Sequence, residues 1–158
     1  MYYKEKSQFS VVITCCTNRK RRVKNHKIIV FPQPLSCDDL ESFVGRWIKS
    51  FECSENSCLQ ASARYVGKTI SDAKTISDFL DAKLFIISAG MGLIEGSAEI
   101  PNYNLTFSDN RGGLNSALKK IGADQKEWWK ELCKQNKKSA SIETIIKSKE
   151  VKKIFIAL

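Results

Sequence analysis

Residues 83–108 read KLFIISAGMGLIEGSAEIPNYNLTFS, and the fold is decided by how this stretch begins. The run from Leu84 to Ile87 is apolar without alternation, as expected of a strand covered on both faces in a parallel sheet. FSVVITCC at residues 9–16 has the same character, and VKKIFIAL at residues 151–158 reads as a final strand. A shorter extended segment, KIIVF at residues 27–31, stops at Pro32 and Pro34, which cannot continue a ladder. Strands that alternate with helical segments predict an α/β layered sandwich, with a central, largely parallel or mixed sheet flanked by helices.

The helical segments are defined by their spacing. Leu40, Phe43, Val44, Trp47, Ile48 and Phe51 form one apolar stripe, with Ser36 or Asp38 as the expected cap. Residues 69–80 predict a second helix with Ile70, Ala73, Ile76, Phe79 and Leu80 inward. Three more are expected: RGGLNSALKKIG ended by Gly122, ADQKEWWKELCKQN with Trp128, Trp129, Leu132 and Cys133 on one side, and SIETIIKSK capped by Ser141. Residues 52–64 lack periodicity and read as loop. The 158 residues fit one domain with a proper core. The chain's apolar end at Ile156, Ala157 and Leu158 reads equally as a buried terminal strand or as the cut end of a domain from a longer protein.

No stretch approaches the roughly 20 apolar residues of a membrane helix, so no membrane association is expected. The polar opening MYYKEKSQFS lacks the apolar core of a signal peptide, and a cytoplasmic location is expected. The six cysteines, Cys15, Cys16, Cys37, Cys53, Cys58 and Cys133, are then reduced thiols rather than a disulfide framework. Cys53 and Cys58 are spaced as a possible ligand pair, but no CxxC or CxxH accompanies them and His26 is the one histidine. No metal site is expected. A formal net charge of +9 and a pI near 9.3 favour a polyanionic partner, or else a lysine-rich solvated surface.

Ligands of open parallel sheets collect where loops leave the carboxyl ends of neighbouring strands. Two such loops are unusual here. Cys15-Cys16-Thr17-Asn18-Arg19-Lys20 ends the first strand, and Ser88-Ala89-Gly90-Met91-Gly92 follows the strand quoted above. Gly90 and Gly92 permit close approach of a ligand to backbone. Ser88, Thr17 and Asn18 can hydrogen-bond a phosphate, sugar or base, and Tyr103 offers an aromatic face. Asn102 and Asn104 supply donor–acceptor pairs suited to base edges. Arg19, Lys20, Arg21 and Arg22 are the expected phosphate contacts. Each of these residues also has a plain structural reading, as a turn, a backbone partner or a solvated charge.

Established catalytic motifs are missing. Gly90-x-Gly92-x-x-x-Gly96 misses the dinucleotide fingerprint by one position, and neither a Walker A sequence nor a GxSxG elbow occurs. No cofactor is expected. Cys16 and Ser88 are the candidate catalytic residues, since nearby cations would favour a thiolate. Glu95, Glu99 and Asp109 flank the loop as candidate general bases. The Trp128–Trp129 pair reads as core before it reads as a base-stacking platform.

Ser88, Ala89, Gly90, Gly92, Leu93 and Ile94, followed by Ile100, Pro101, Tyr103 and Leu105, together resemble the YaaA-like proteins. They also resemble related domains that accompany 7-deazaguanine modification enzymes of the archaeosine synthase type. RYVGKTI at residues 64–70 is similar to their tyrosine–glycine segment, and the strand ending in Cys16 through Lys20 is similar to their first strand. The likeness covers residues 61–108 well and 11–20 loosely. Met91 departs from it, standing where an aromatic or basic residue is common, and so does Asn104, where arginine is usual. The resemblance implies an α/β domain associated with DNA or modified nucleobases, and with DNA binding under oxidative stress.

Three functional readings follow. The first is a nucleic-acid- or nucleotide-binding domain, part of a base-modification or stress-response system. The second is an enzyme acting on a nucleoside or nucleobase, and the third a non-catalytic interaction domain of a larger protein.

Overall fold

The computed structural model describes residues 8–17, 19–24, 27–52, 58–107 and 113–157. Its elements in chain order are β1 (Phe9–Cys15), β2 (Ile29–Val30), α1 (Leu40–Glu52), β3 (Leu59–Gln60), α2 (Ala61–Arg64), α3 (Lys68–Phe79) and β4 (Ala82–Ser88). There follow β5 (Gly92–Glu95), β6 (Glu99–Ile100), β7 (Tyr103–Asn104), α4 (Leu114–Lys120), α5 (Gln125–Gln135), α6 (Ile142–Lys147) and β8 (Val151–Ala157).

The main sheet has the order β5-β4-β1-β8. β1 lies between β4 and β8 and is parallel to both, which is why Val11, Val12 and Ile13 are buried without alternation. The predicted layered α/β sandwich is therefore the observed architecture. α3 packs across β1 and β4, while α5 packs on α1 and β5. The larger core gathers Phe31, Phe43, Trp47, Ile70, Ile86, Ile94 and Trp128 on one face of the sheet. Val11, Ile13, Phe85, Leu93 and Ile145 form the smaller core. Because β1 and β4 are neighbours, with Cys15 opposite Ile87, the two unusual loops do leave adjacent strand ends.

Four local expectations are corrected. The run after Met91 is not open loop. It is β5, which turns back antiparallel on β4 and pairs Ser88 with Gly92 and Ile87 with Leu93. Residues 59–64, expected as loop, form β3 and α2. Their ladder partner is β6, some 40 residues later, with Leu59 opposite Ile100, so no local periodicity announces them.

The inward face of α3 is Ile70, Ala73 and Ser77; Ile76 is 39% and Phe79 87% exposed. At 100° per residue Phe79 lies roughly 180° around the helix from Ile70, so the two cannot share a face. Finally, α1 is capped by Asp39, not by Ser36 or Asp38. The Asp39 carboxylate accepts the Ser42 amide at 2.8 Å, while Asp38 pairs with Arg46 and accepts the Leu35 amide.

Among the described residues no helix is long and apolar enough to cross a membrane. Leu158, the final residue of the predicted last strand, lies outside the described residues.

Candidate functional site

The turn from Ser88 to Met91 is held from every side. Its four carbonyls accept, in order, from Trp129 Nε1 at 3.2 Å, Trp128 Nε1 at 2.9 Å, Trp47 Nε1 at 2.8 Å and Asn136 Nδ2 at 2.8 Å. All three tryptophans of the chain are spent on this one turn. The amides of Gly90 and Met91 donate to Ser88 Oγ, both at 3.2 Å. Buried backbone groups must be paired somewhere, and here large indoles from α1 and α5 do the pairing. The segment expected to cradle a ligand is thus a rigid wall with its hydrogen bonds directed into the protein.

Its glycines are explained by the same closeness. A Cβ on Gly90 would stand 2.6 Å from Tyr103 Cε2. Gly92 has φ near +80°, and a Cβ there would stand 2.5 Å from Ser139 Oγ. The close approach that Gly90 and Gly92 allow is made by Tyr103 and Ser139.

Ser88 is fully buried and joins a triangle of hydroxyls. Tyr65 donates to Ser88 Oγ at 2.9 Å, Ser88 and Tyr103 are 2.6 Å apart, and Tyr65 bonds Tyr103 directly. With one proton per hydroxyl, these three contacts close as a cycle: Tyr65 donates to Ser88, Ser88 to Tyr103, and Tyr103 to Tyr65. Every proton is used, so three buried hydroxyls are satisfied without water. Burial pushes both phenols well above their ordinary pKa, and they stay protonated at neutral pH. Ser88 is occupied as a tie between β4, Tyr65 and β7.

The basic loop is zipped onto residues 64–66. Arg21 N donates to Arg64 O at 2.7 Å and Val66 N donates to Arg19 O at 3.0 Å, with an isolated antiparallel bridge between Lys20 and Tyr65. The guanidinium of buried Arg64 returns a bond to Arg21 O at 2.9 Å. Thr17 Oγ1 donates to Val66 O at 2.6 Å, so Thr17 fixes the start of the loop. This zipper splits the basic run. Arg19, Lys20 and Arg22 line one cavity, whereas Arg21 lines a separate depression beside Tyr65 and Ile70.

The first of these is the candidate site. It encloses about 430 Å³ and is lined by Arg19, Lys20, Arg22, Ile28, Val66, Asn102, Tyr103 and Asn104. Among the described residues three cations and two amides line it, and no carboxylate does. Asn102 is buried and its backbone carbonyl accepts from Ile29 N at 2.8 Å, while Asn104 is exposed beside it. Tyr103 is 2% exposed, edge-on to Trp47 at 5.8 Å, with Lys20 Nζ 4.6 Å from its ring centroid. Lys20 is held below its ordinary pKa chiefly by burial, with Cys16 opposing and Arg64 assisting.

Of the residues expected from sequence, the cavity brings together Arg19, Lys20, Arg22, Asn102, Tyr103 and Asn104. Thr17, Ser88 and Gly90 stand behind it as supports, and Gly92 faces Ser139. Cys16 is half-buried against the larger core, its amide bonded to Ile87 O; burial, then Cys16, raises the pKa of its neighbour Cys15. Neither Glu95 nor Glu99 lines the cavity. Asn18, His26, Cys53 and Asp109 lie outside the described residues. Among the described residues no group of three His, Cys, Asp or Glu side chains is placed to hold a metal.

The reading from residue types missed Arg64, Tyr65 and Val66. A buried arginine closing a one-turn helix and the tyrosine that follows it leave no periodic signal. Comparison with protein-family models, with curated proteins and with solved structures finds no match to this chain, so the chemistry of the site rests on its own residues.

Proposed function

We propose that the chain binds a nucleic acid or nucleotide, through phosphate, in the cavity between the β1 loop and β7. The observation that supports this reading is the lining itself: Arg19, Lys20 and Arg22 together with Asn102 and Asn104, and no acid among the described residues. Guanidinium groups suit phosphate because their planar fork bonds two oxygens at once. The amides of Asn102 and Asn104 offer donors and acceptors together, which suits a base or sugar edge. The net charge of +9 adds long-range attraction for the same ligands.

Titration of the purified chain with fluorescent single-stranded and duplex oligonucleotides, and with mononucleotides against the matching nucleosides, tests the reading. Phosphate-bearing ligands are expected to bind and nucleosides to bind far more weakly. The Arg19→Glu/Arg22→Glu double variant should abolish binding while retaining the wild-type unfolding midpoint. Equal affinity of wild type and double variant for every ligand would overturn the reading.

A further inference from the structure

Lys20 differs from the arginines beside it. Its backbone is pinned by the bridge to Tyr65, and its ammonium lies 4.6 Å from the Tyr103 ring centroid and 5.8 Å from that of Tyr65. Among the described residues Nζ makes one hydrogen bond, a long one of 3.5 Å to Leu105 O. Among the described residues no carboxylate pairs with it. A lysine kept only to grip phosphate would be better left hydrated and mobile. One that is half-buried, beside a second cation and with no acid paired to it among the described residues has a larger share of neutral, nucleophilic amine; burial acts most strongly in that direction here and Arg64 assists, against the opposing effect of Cys16. Arg19 and Arg22, which line the same cavity, would meanwhile hold phosphates.

We propose that Lys20 is a nucleophile that captures an aldehyde carried on a phosphorylated sugar, the ring-opened sugar of an abasic nucleotide in a nucleic-acid strand being the form that fits the cavity. The phosphate contacts in this proposal rest on the function proposed above. In the step, the neutral Nζ adds to the aldehyde carbon. A C–N bond forms as the carbonyl π pair moves to oxygen, and a proton passes from nitrogen to that oxygen to give a carbinolamine. Loss of water, with uptake of one proton from solvent, leaves an iminium. Amine, aldehyde and proton become iminium and water, with no change of oxidation state. The product keeps its positive charge over the face of Tyr103, so the cation–π contact that holds the ammonium also holds the iminium. The cavity volume of about 430 Å³ is within the roughly 300–1,000 Å³ common for small-ligand sites.

The test is reductive trapping. The full chain is incubated with a labelled single-stranded oligonucleotide containing one abasic site and sodium cyanoborohydride, which reduces an iminium to a stable secondary amine. The adduct is then mapped by peptide mass spectrometry. Modification concentrated at Lys20, lost in Lys20→Arg and unchanged in Lys126→Arg on the exposed face of α5, is the expected result. Mapping on wild-type protein makes the result independent of how well any variant folds. Adducts spread over surface lysines, or a yield unchanged in Lys20→Arg, would overturn the proposal. Trapping of glyceraldehyde 3-phosphate at Lys20 without trapping of the oligonucleotide would keep the chemistry and exclude the nucleic-acid source. Intact oligonucleotide that binds normally while no aldehyde reaches Lys20 would sink the nucleophile alone and leave the binding function standing.

Discussion

Replacing Ser88 by alanine separates a structural hydroxyl from a ligand-binding one. Ser88 Oγ accepts the Gly90 and Met91 amides, both at 3.2 Å, accepts Tyr65 at 2.9 Å, and shares a proton with Tyr103 at 2.6 Å. In Ser88→Ala the two phenols can still bond each other, which uses one phenolic proton. The other phenolic proton and both amides then lack acceptors in a buried site. An orphaned buried donor costs about 1–3 kcal/mol. With the two amide bonds long and therefore at the low end, the sum is about 3 kcal/mol. Set against a total stability of about 5–15 kcal/mol, the variant still folds. Urea unfolding followed by tryptophan fluorescence reads the change directly, since all three indoles contact this turn. With a slope of about 2 kcal/mol per molar urea, the midpoint should fall by roughly 1.5 M. A loss under about 0.5 kcal/mol, accompanied by loss of nucleotide binding, would refute the closed hydroxyl cycle and return Ser88 to the ligand.

Gly90→Ala should cost about 2–3 kcal/mol, near the top of the usual overpacking range. Its Cβ meets Tyr103, which is anchored by its hydroxyl and by Lys20 and cannot step aside; an unchanged urea midpoint would refute that anchoring. The acid limb of stability should depend on Asp38. Its hydrogen bond with Arg46, then that from the Leu35 amide, holds its carboxyl below the ordinary range. The unfolded chain therefore binds the proton more readily, so this contribution is present above about pH 4 and is lost as pH falls through the lowered value. Asp38→Asn should flatten the acid side of a plot of stability against pH between about 2 and 5 without removing it, because Asp39 is lowered in the same way by Ser42.

The fold was legible where burial is continuous along the chain. The apolar runs at residues 11–13 and 84–86 could only be strands covered on both faces, and the stripe of Phe43, Val44 and Trp47 could only be helix. What escaped depends on partners distant in sequence. β5 is a strand because β4 lies beside it, and β3 because β6 does. Phe79 is large and apolar, but its angle on α3 carries it to the face opposite Ile70, and angle outweighs size.

At the site, Arg19, Lys20, Arg22, Asn102, Tyr103 and Asn104 were legible from residue type at the end of a strand. The use of Ser88 and Gly90 was not. Glycine beside serine after a buried strand looks the same whether the space admits a ligand or a tyrosine ring, and three tryptophans from α1 and α5 decide that it is the ring. Tyr65 and Arg64 owe their place to the basic loop, some 45 residues away, that zips onto them.

The central claim is that the cavity between the β1 loop and β7 holds phosphate through Arg19 and Arg22. The measurement that tests it most directly is the slope of log Kobs against log salt for duplex DNA, for wild type and for Arg19→Gln/Arg22→Gln. Each phosphate contact contributes about 0.9 to that slope, so removing two should make it shallower by about 1.8. An unchanged slope would show that the charge of this chain meets nucleic acid elsewhere, and the claim would fall.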